Sequence, residues 1–237
     1  MYVAAEIPSL PLDSFPVLDH GFVRLDGAMA DDLSVVNAAR VSFARHKDSV
    51  DEADEGLIRF LMRERHGTPF EHNCFRFHIR CPIFVAREWF RHRIGSFNEF
   101  SMRYAKATDD FYVPAAEDVR TQVGKPGAYT FETVDDDLAE ATRAELTSVY
   151  EVAYATYERL VERGIAREIA RCVLPVGAYT EFYWTVNARA LMNFVSLRAA
   201  EYAQREIRLY AEKVEEFLAE RMPLTHAAFV GNDRTAP

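Results

Sequence analysis

The sequence predicts an α+β fold, a single mixed α/β domain with more helix than strand. Three observations point there. Residues 74–80 (CFRFHIR) alternate strictly between apolar and polar side chains, the two-residue period of a half-buried strand. Residues 137–163 return apolar side chains at helical spacing. No repeat, low-complexity tract or clean linker divides the 237 residues into two cores.

Taken in order, residues 1–20 carry Pro8, Pro11 and Pro16 without a period and read as an irregular arm ahead of a domain spanning 21–222. In residues 21–27, Val23 and Leu25 alternate with Arg24 and Asp26, a short strand. Ser49 and Glu52 have the spacing of a capping box. Ala53, Leu57, Phe60 and Leu61 then follow helical spacing until Gly67 and Pro69 end the helix. Thr68, ahead of Pro69, can cap a short turn with Glu71 in its first turn. After the strand at 74–80, Pro82 suits the first turn of a helix whose face holds Ile83, Ala86 and Phe90. GSFNEFSMRY then reads as a loop entering an extended segment.

Residues 109–137 are polar and broken by Pro114, Gly124, Pro126 and Gly127, a long surface excursion. The helix at 137–163 has a face running through Leu138, Leu146, Val149, Ala153, Tyr157 and Leu160, with Thr142 its polar member, and Gly164 stops it. A short helix at 165–173 ends before Pro175. Trp184 to Met222 reads as helical throughout. Residues 223–237 read as a C-terminal tail whose last stretch, GNDRTAP, is disordered.

Composition narrows the function. With 49% hydrophobic and 27% charged residues the chain suits a soluble globular protein. A net charge of −9 argues against duplex nucleic acid as a partner, yet a local arginine cluster can still hold a small anion. Cys74, Cys81 and Cys172 form no CxxC pair, which favours a reducing cytoplasm over a disulfide or zinc framework. The N-terminus lacks a basic start followed by an apolar run, and no apolar stretch reaches bilayer length, so neither secretion nor a membrane is expected.

Three segments concentrate chemistry. The densest is Glu88 to Tyr104 (EWFRHRIGSFNEFSMRY), which holds Arg91, His92, Arg93, Ser96, Asn98, Ser101 and Arg103. Its guanidiniums suit phosphate through bidentate donors, while Asn and Ser suit sugar or base edges; the plain alternative is a solvated arginine-rich turn. In the second segment, Asn187, Leu191, Phe194, Arg198 and Tyr202 share a helical face. A guanidinium on an apolar stripe needs an anionic partner, either Glu201 or Glu206 of this chain or an anionic ligand. Arg189 and Asn193, on another face, either serve a second ligand or cap and bridge. The third segment, His66-Gly-Thr-Pro-Phe-Glu-His72, invites a metal reading, but its spacing fits no standard zinc pattern. The chain has no GxSxG elbow, GxxxxGK[ST] loop or GxGxxG fingerprint.

Arg91, His92, Arg93, Ser96, Asn98, Ser101 and Arg103 match RHRxxSxNxxSxR without a gap. In this the sequence resembles the flavin-dependent thymidylate synthases, as do HGTPFEH, ARCVLP and WTVNARALMNFVSLR, over roughly residues 20–222. The resemblance implies an α+β homotetramer with active sites shared between subunits. It implies FAD as cofactor, contacted by Thr68, Arg91, His92, Arg93, Glu99, Asn187, Arg189 and Asn193. It implies a dUMP site lined by Glu88, Trp89, Phe90, Arg91, Glu99, Phe100, Ser101, Met102, Arg103, Arg171 and Arg198, with His66 near flavin and folate. NADPH and 5,10-methylenetetrahydrofolate are the implied co-substrates, dTMP and tetrahydrofolate the products. No cysteine is implied as nucleophile and no metal. Arg198 would activate dUMP by stabilising the N3 anion. Two positions depart from the pattern: Glu88 stands where several members carry glutamine, and Tyr202 where some carry histidine. Two other readings stay open, a non-catalytic nucleotide-binding protein and a metal-dependent hydrolase using His66, His72 and His92.

Overall fold

The computed structural model describes residues 14–125 and 128–237. In chain order the elements are β1 (Ser14–Val17), β2 (Gly21–Met29), α1 (Asp32–Arg40), α2 (Glu52–Arg63), α3 (Thr68–Glu71), β3 (Cys74–Pro82), α4 (Ile83–Trp89) and β4 (Ser96–Glu99). They continue with β5 (Arg120–Lys125), β6 (Ala128–Thr133), α5 (Asp136–Glu162), α6 (Arg167–Ala170), β7 (Tyr179–Asn187), α7 (Ala188–Arg198), α8 (Arg205–Arg221) and α9 (Pro223–Gly231). The α+β expectation holds: an antiparallel five-stranded sheet, ordered β1-β2-β3-β7-β4, is backed by helices.

The alternation in β3 sets the core. Phe75, Phe77 and Ile79 lie opposite Val186, Trp184 and Phe182 on β7, and all six are buried. Trp89 from α4 stacks on Phe194 of α7 with ring centroids 4.6 Å apart and meets Trp184 edge-on. Each such buried ring contributes about 1.5–3 kcal/mol through area removed from water. On the opposite face of the sheet His78 stacks on Tyr183 and bonds Glu181 at 3.0 Å.

Several expectations need correction. Strand β7 lies inside the sheet between β3 and β4 and runs to Asn187, so the helix expected from Trp184 begins only at Ala188. The strand's period-two signal, Phe182, Trp184, Val186, straddles the point from which helical spacing was counted. The helix beyond it breaks between Arg198 and Arg205, so α7 and α8 are separate. Helix α2 is capped two residues later than expected, by a capping box of Asp51 and Asp54. It buries Asp54, Ile58, Leu61 and Met62 and leaves Phe60 exposed. Thr68 is the first residue of α3 and makes no side-chain cap. Pro82 precedes α4 rather than opening it, and the helix buries Val85, Ala86 and Trp89.

The arm is a strand at Ser14–Val17, and its earlier residues, Pro8 and Pro11 among them, lie outside the described residues. The excursion at 109–137 contains the β5–β6 hairpin; Pro126 and Gly127 likewise lie outside. Arg120 of that hairpin is fixed to the buried Glu206 of α8 at 3.1 Å, a carboxylate that also accepts from Tyr112 and Gln204. The domain does not stop at 222. Residues 223–231 form α9, whose Ala228 and Phe229 join the core, and its first turn donates backbone N–H groups from Leu224 and Thr225 to the buried Asp32 carboxylate.

Candidate active site

Helix α4 ends at Trp89, and the chain then turns tightly: Arg91 and His92 donate their backbone N–H groups to the carbonyls of Glu88 and Trp89. The aromatics of this segment face inward. Trp89 is fully buried, and Phe90 sits edge-on to Phe97 and Phe182 at 4.9 and 5.0 Å. They anchor a turn whose polar members point away from the core. The Trp89 side chain therefore belongs to the core and borders neither cavity.

Helix α7 supplies the facing wall. Asn187 caps it, its Oδ1 accepting from the Ala190 N–H at 2.8 Å, which leaves the amide NH2 group free of that bond. Leu191 and Phe194 turn into the core while Arg189 and Asn193 project outward. Between the walls lies a cavity of ≈ 570 Å³ bordered by Arg91, His92, Arg93, Ile94, Asn187, Arg189, Asn193, Leu197 and Arg198. Glu71, Ala190, Ala236 and Pro237 complete its rim. A second cavity, ≈ 600 Å³, is bordered by Arg87, Glu88, Phe90, Arg91 and Arg198. Arg91 and Arg198 thus border both.

Arg198 lies in the last turn of α7, where the helix dipole favours a cation. Its Nε donates to Nε2 of His92 at 3.0 Å, and its Nη1 donates to the Glu88 carboxylate at 3.1 Å. The protein carboxylate that meets it is thus Glu88, not Glu201 or Glu206. The chain turns at 199–204, which leaves Glu201 exposed and carries Glu206 onto α8 toward Arg120. The same turn puts Tyr202, 81% exposed, outside the face that holds Arg198. Burial, reinforced by the adjacent Arg198 charge, holds the His92 pKa down at about 4. His92 is therefore a neutral acceptor at neutral pH. Burial raises the Glu88 pKa, and Glu206 adds to the rise against the pull of Arg198.

Arg189 donates to the Pro237 carbonyl oxygen at 2.7 Å and to Glu71 at 2.6 Å. Gly67 passes so close that a Cβ there would lie 2.4 Å from Arg189 Nε, and Thr68 follows on the exposed side. The contact with Pro237 corrects the reading of the tail as disordered.

The remaining candidates lie elsewhere in the single chain. Phe97 of β4 packs beside Trp184, while the Glu99 carboxylate accepts from Thr180 at 2.8 Å. Ser101 begins a turn in which Arg103 stacks over Tyr104. Met102 is buried against Ala107, Tyr157 and Ala170 rather than facing either cavity. Arg171 is exposed on the turn after α6, and Arg167 of α6 donates to the Tyr104 carbonyl. Phe100 is 37% exposed. His66 meets Phe60 edge-on. Cys74, Cys81 and Cys172 are free thiols, and none borders either cavity. Among the described residues no group of three His, Cys, Asp or Glu side chains could hold a metal ion. No described helix is long and apolar enough to cross a membrane.

Sequence reasoning missed Arg87, Ile94, Leu197, Ala236 and Pro237 as cavity residues. Glu71 lay in a segment already singled out, but no spacing links it to Arg189. Nothing in GNDRTAP signals docking.

Fold and site together define an α+β protein with paired cavities walled by shared arginines, suited to phosphorylated ligands. Residues 24–224 match the family described as thymidylate synthase complementing protein. The chain is 47% identical over 216 residues to the flavin-dependent thymidylate synthase of Thermosipho africanus, covering 91% of this chain and 93% of that one. It is 47% identical over 219 residues to that of Thermus thermophilus, covering 91% and 78%. A UMP/dUMP methylase from Streptomyces cacaoi, solved with 5-Br dUMP, superposes with a TM-score of 0.86 at 46% identity, covering 94% of this chain and all of the other. The chain belongs to the flavin-dependent thymidylate synthase family.

Proposed function

We propose that this protein catalyses the reductive methylation of dUMP to dTMP, using FAD, NADPH and 5,10-methylenetetrahydrofolate and releasing tetrahydrofolate. The observation that carries the reading is the wall formed by Arg91 and Arg198 between two cavities. Such a wall can hold two anionic ligands side by side, as a nucleotide stacked on a flavin requires. The names of the relatives support the same chemistry.

The donor set fits FAD. Arg91, Arg93 and Arg189 offer guanidiniums to a diphosphate, and Asn187 and Asn193 offer carboxamides to sugar or ring edges. Thr68 and Glu99 join the set by resemblance. When bound and reduced by NADPH, the flavin supplies a hydride. On the other side, Glu88, Phe90, Arg91 and Arg198 receive dUMP. Arg198 stabilises negative charge developing at N3 of the uracil, which raises electron density at C5 for attack on the carbon donor. No cysteine is required.

By resemblance, Ser101, Arg103 and Arg171, which border neither cavity of the single chain, complete the dUMP site of another subunit in a homotetramer. Helix α5 supports it too: Leu138, Val149 and Val152 are 51%, 61% and 65% exposed on the single chain, an apolar row suited to a subunit contact. His66 is assigned to the flavin and folate side. The reaction belongs in the cytoplasm, beside its co-substrates.

The test is dTMP formation with FAD, NADPH, dUMP and methylenetetrahydrofolate, omitting each in turn, with UMP replacing dUMP in a parallel series. Purified protein should be yellow, with a flavin spectrum that NADPH bleaches. A protein that cannot take up FAD, or that makes no dTMP with all four present, overturns the reading.

A further inference from the structure

Glu88 is the one acidic side chain among the described residues that borders the second cavity. It shares that border with Arg87, Arg91 and Arg198. Its carboxylate is half-buried and already engages Arg198 Nη1 at 3.1 Å, while Arg198 Nη2 faces the Glu88 backbone oxygen at 3.4 Å. Two of the faces through which Arg198 can bind an anion are therefore taken up by one residue of the protein itself. The charged and titratable groups around Glu88 are Arg87, Arg91 and His92 from its own segment, Arg198 from α7 and Glu206 from α8.

A ligand anion and an ionised Glu88 compete for the same guanidinium. If both stay charged in this partly desolvated cavity they also repel each other. We propose that Glu88 is a built-in counter-anion for Arg198, that an incoming nucleotide anion displaces it, and that the displaced carboxylate takes up a proton from solvent. Glu88 then sets affinity and its pH dependence, a property that a glutamine at this position would not confer. In the free protein, Arg198 satisfies the charge of Glu88; in the complex, protonation removes it. The raised Glu88 pKa, caused by burial first and Glu206 next, runs in the direction that makes proton uptake easy.

The proposal rests on the reading of this cavity as the dUMP site, and the experiment separates the two. Calorimetric titration of the FAD-loaded protein with dUMP between about pH 6 and pH 8.5, in buffers of differing ionisation enthalpy, reads Kd and protons exchanged together. Wild type should take up protons on binding, and its Kd should weaken by up to about tenfold per pH unit beyond the slope shown by Glu88→Gln. The phosphate's own titration is common to both proteins and cancels. Glu88→Gln should bind dUMP about tenfold tighter than wild type at pH 8, and the gap should narrow as pH falls. Equal slopes and equal proton uptake, or weaker binding by the variant at pH 8, overturn the proposal. Absence of dUMP binding to either protein overturns the dUMP reading and this inference with it. If the variant does not fold, proton uptake by wild type decides: none at pH 8 overturns the coupling.

Discussion

Arg198 donates through Nε to the Nε2 atom of His92 across 3.0 Å. This contact requires an unprotonated Nε2, so the imidazole carries its proton on Nδ1 and stays neutral. In the unfolded chain the ring titrates near 6.5, in the folded protein near 4, where burial and then Arg198 disfavour the charged form. Between those values the unfolded state holds more protons. The contribution of His92 to stability is therefore complete above pH 6.5 and is lost as pH falls through 4. After allowance for solvent screening it amounts to roughly 1–2 kcal/mol. Urea unfolding at pH 7 and about pH 4.5 should show His92→Gln, which keeps an acceptor but does not titrate, losing roughly 1 kcal/mol less than wild type over that interval. Equal losses would refute the assignment.

The approach of Gly67 to Arg189 yields a second prediction. A Cβ at 67 meets the side chain of Arg189 rather than backbone, so the guanidinium moves and the fold survives. Arg189 then leaves Glu71 and the Pro237 carbonyl and loses its aim into the cavity. Gly67→Ala should weaken FAD binding by about tenfold or more, the worth of one charge-assisted hydrogen bond. Flavin fluorescence titration measures it, with a thermal melt as control. Unchanged affinity would remove Arg189 from the flavin site.

These contacts mark the border of what the sequence could reveal. The RHR turn and the α7 arginines were legible because each lies within one short run of chain. The pairing of Arg198 with Glu88 was not, because spacing cannot join residues that meet only when α4 packs against α7. The strand at 74–80 was legible through Phe75, Phe77 and Ile79. Its neighbour β7 was obscured because the apolar residues after Trp184 also satisfy a helical period. The apolar face of α5 was legible as a face, yet Leu138 and Val149 on it are exposed on one chain: a period reports an apolar face without naming what covers it.

The ion pair of Arg120 with Glu206 ties the β5–β6 hairpin to α8. Glu206 is 4% exposed, and burial alone would raise its pKa; Gln204, a backbone N–H and Arg120 together hold it below the usual value. Removing one member of a buried pair strands the other. Arg120→Ala should cost about 3 kcal/mol, toward the lower end because Tyr112 and Gln204 still donate to the carboxylate. In urea the midpoint should fall, and adding Glu206→Gln should restore part of the loss. A midpoint unmoved by Arg120→Ala would show that the pair contributes nothing.

Arg198 separates methylation from flavin chemistry. The first cavity keeps Arg91, Arg93 and Arg189 when Arg198 is removed, so cofactor retention has other cations to rest on. The second cavity keeps only Arg87 and Arg91, and it loses the group that meets Glu88. Arg198→Ala should therefore abolish dTMP formation while FAD binding and NADPH oxidation stay largely intact. Arg198→Lys tests what the guanidinium adds beyond charge: it keeps a cation but loses the planar fork, and should recover only part of the rate. Single-turnover assays with pre-reduced enzyme isolate the methylation step from flavin reduction. If Arg198→Ala forms dTMP near the wild-type rate there, activation of the pyrimidine must come from another residue, with Arg91 the next to examine.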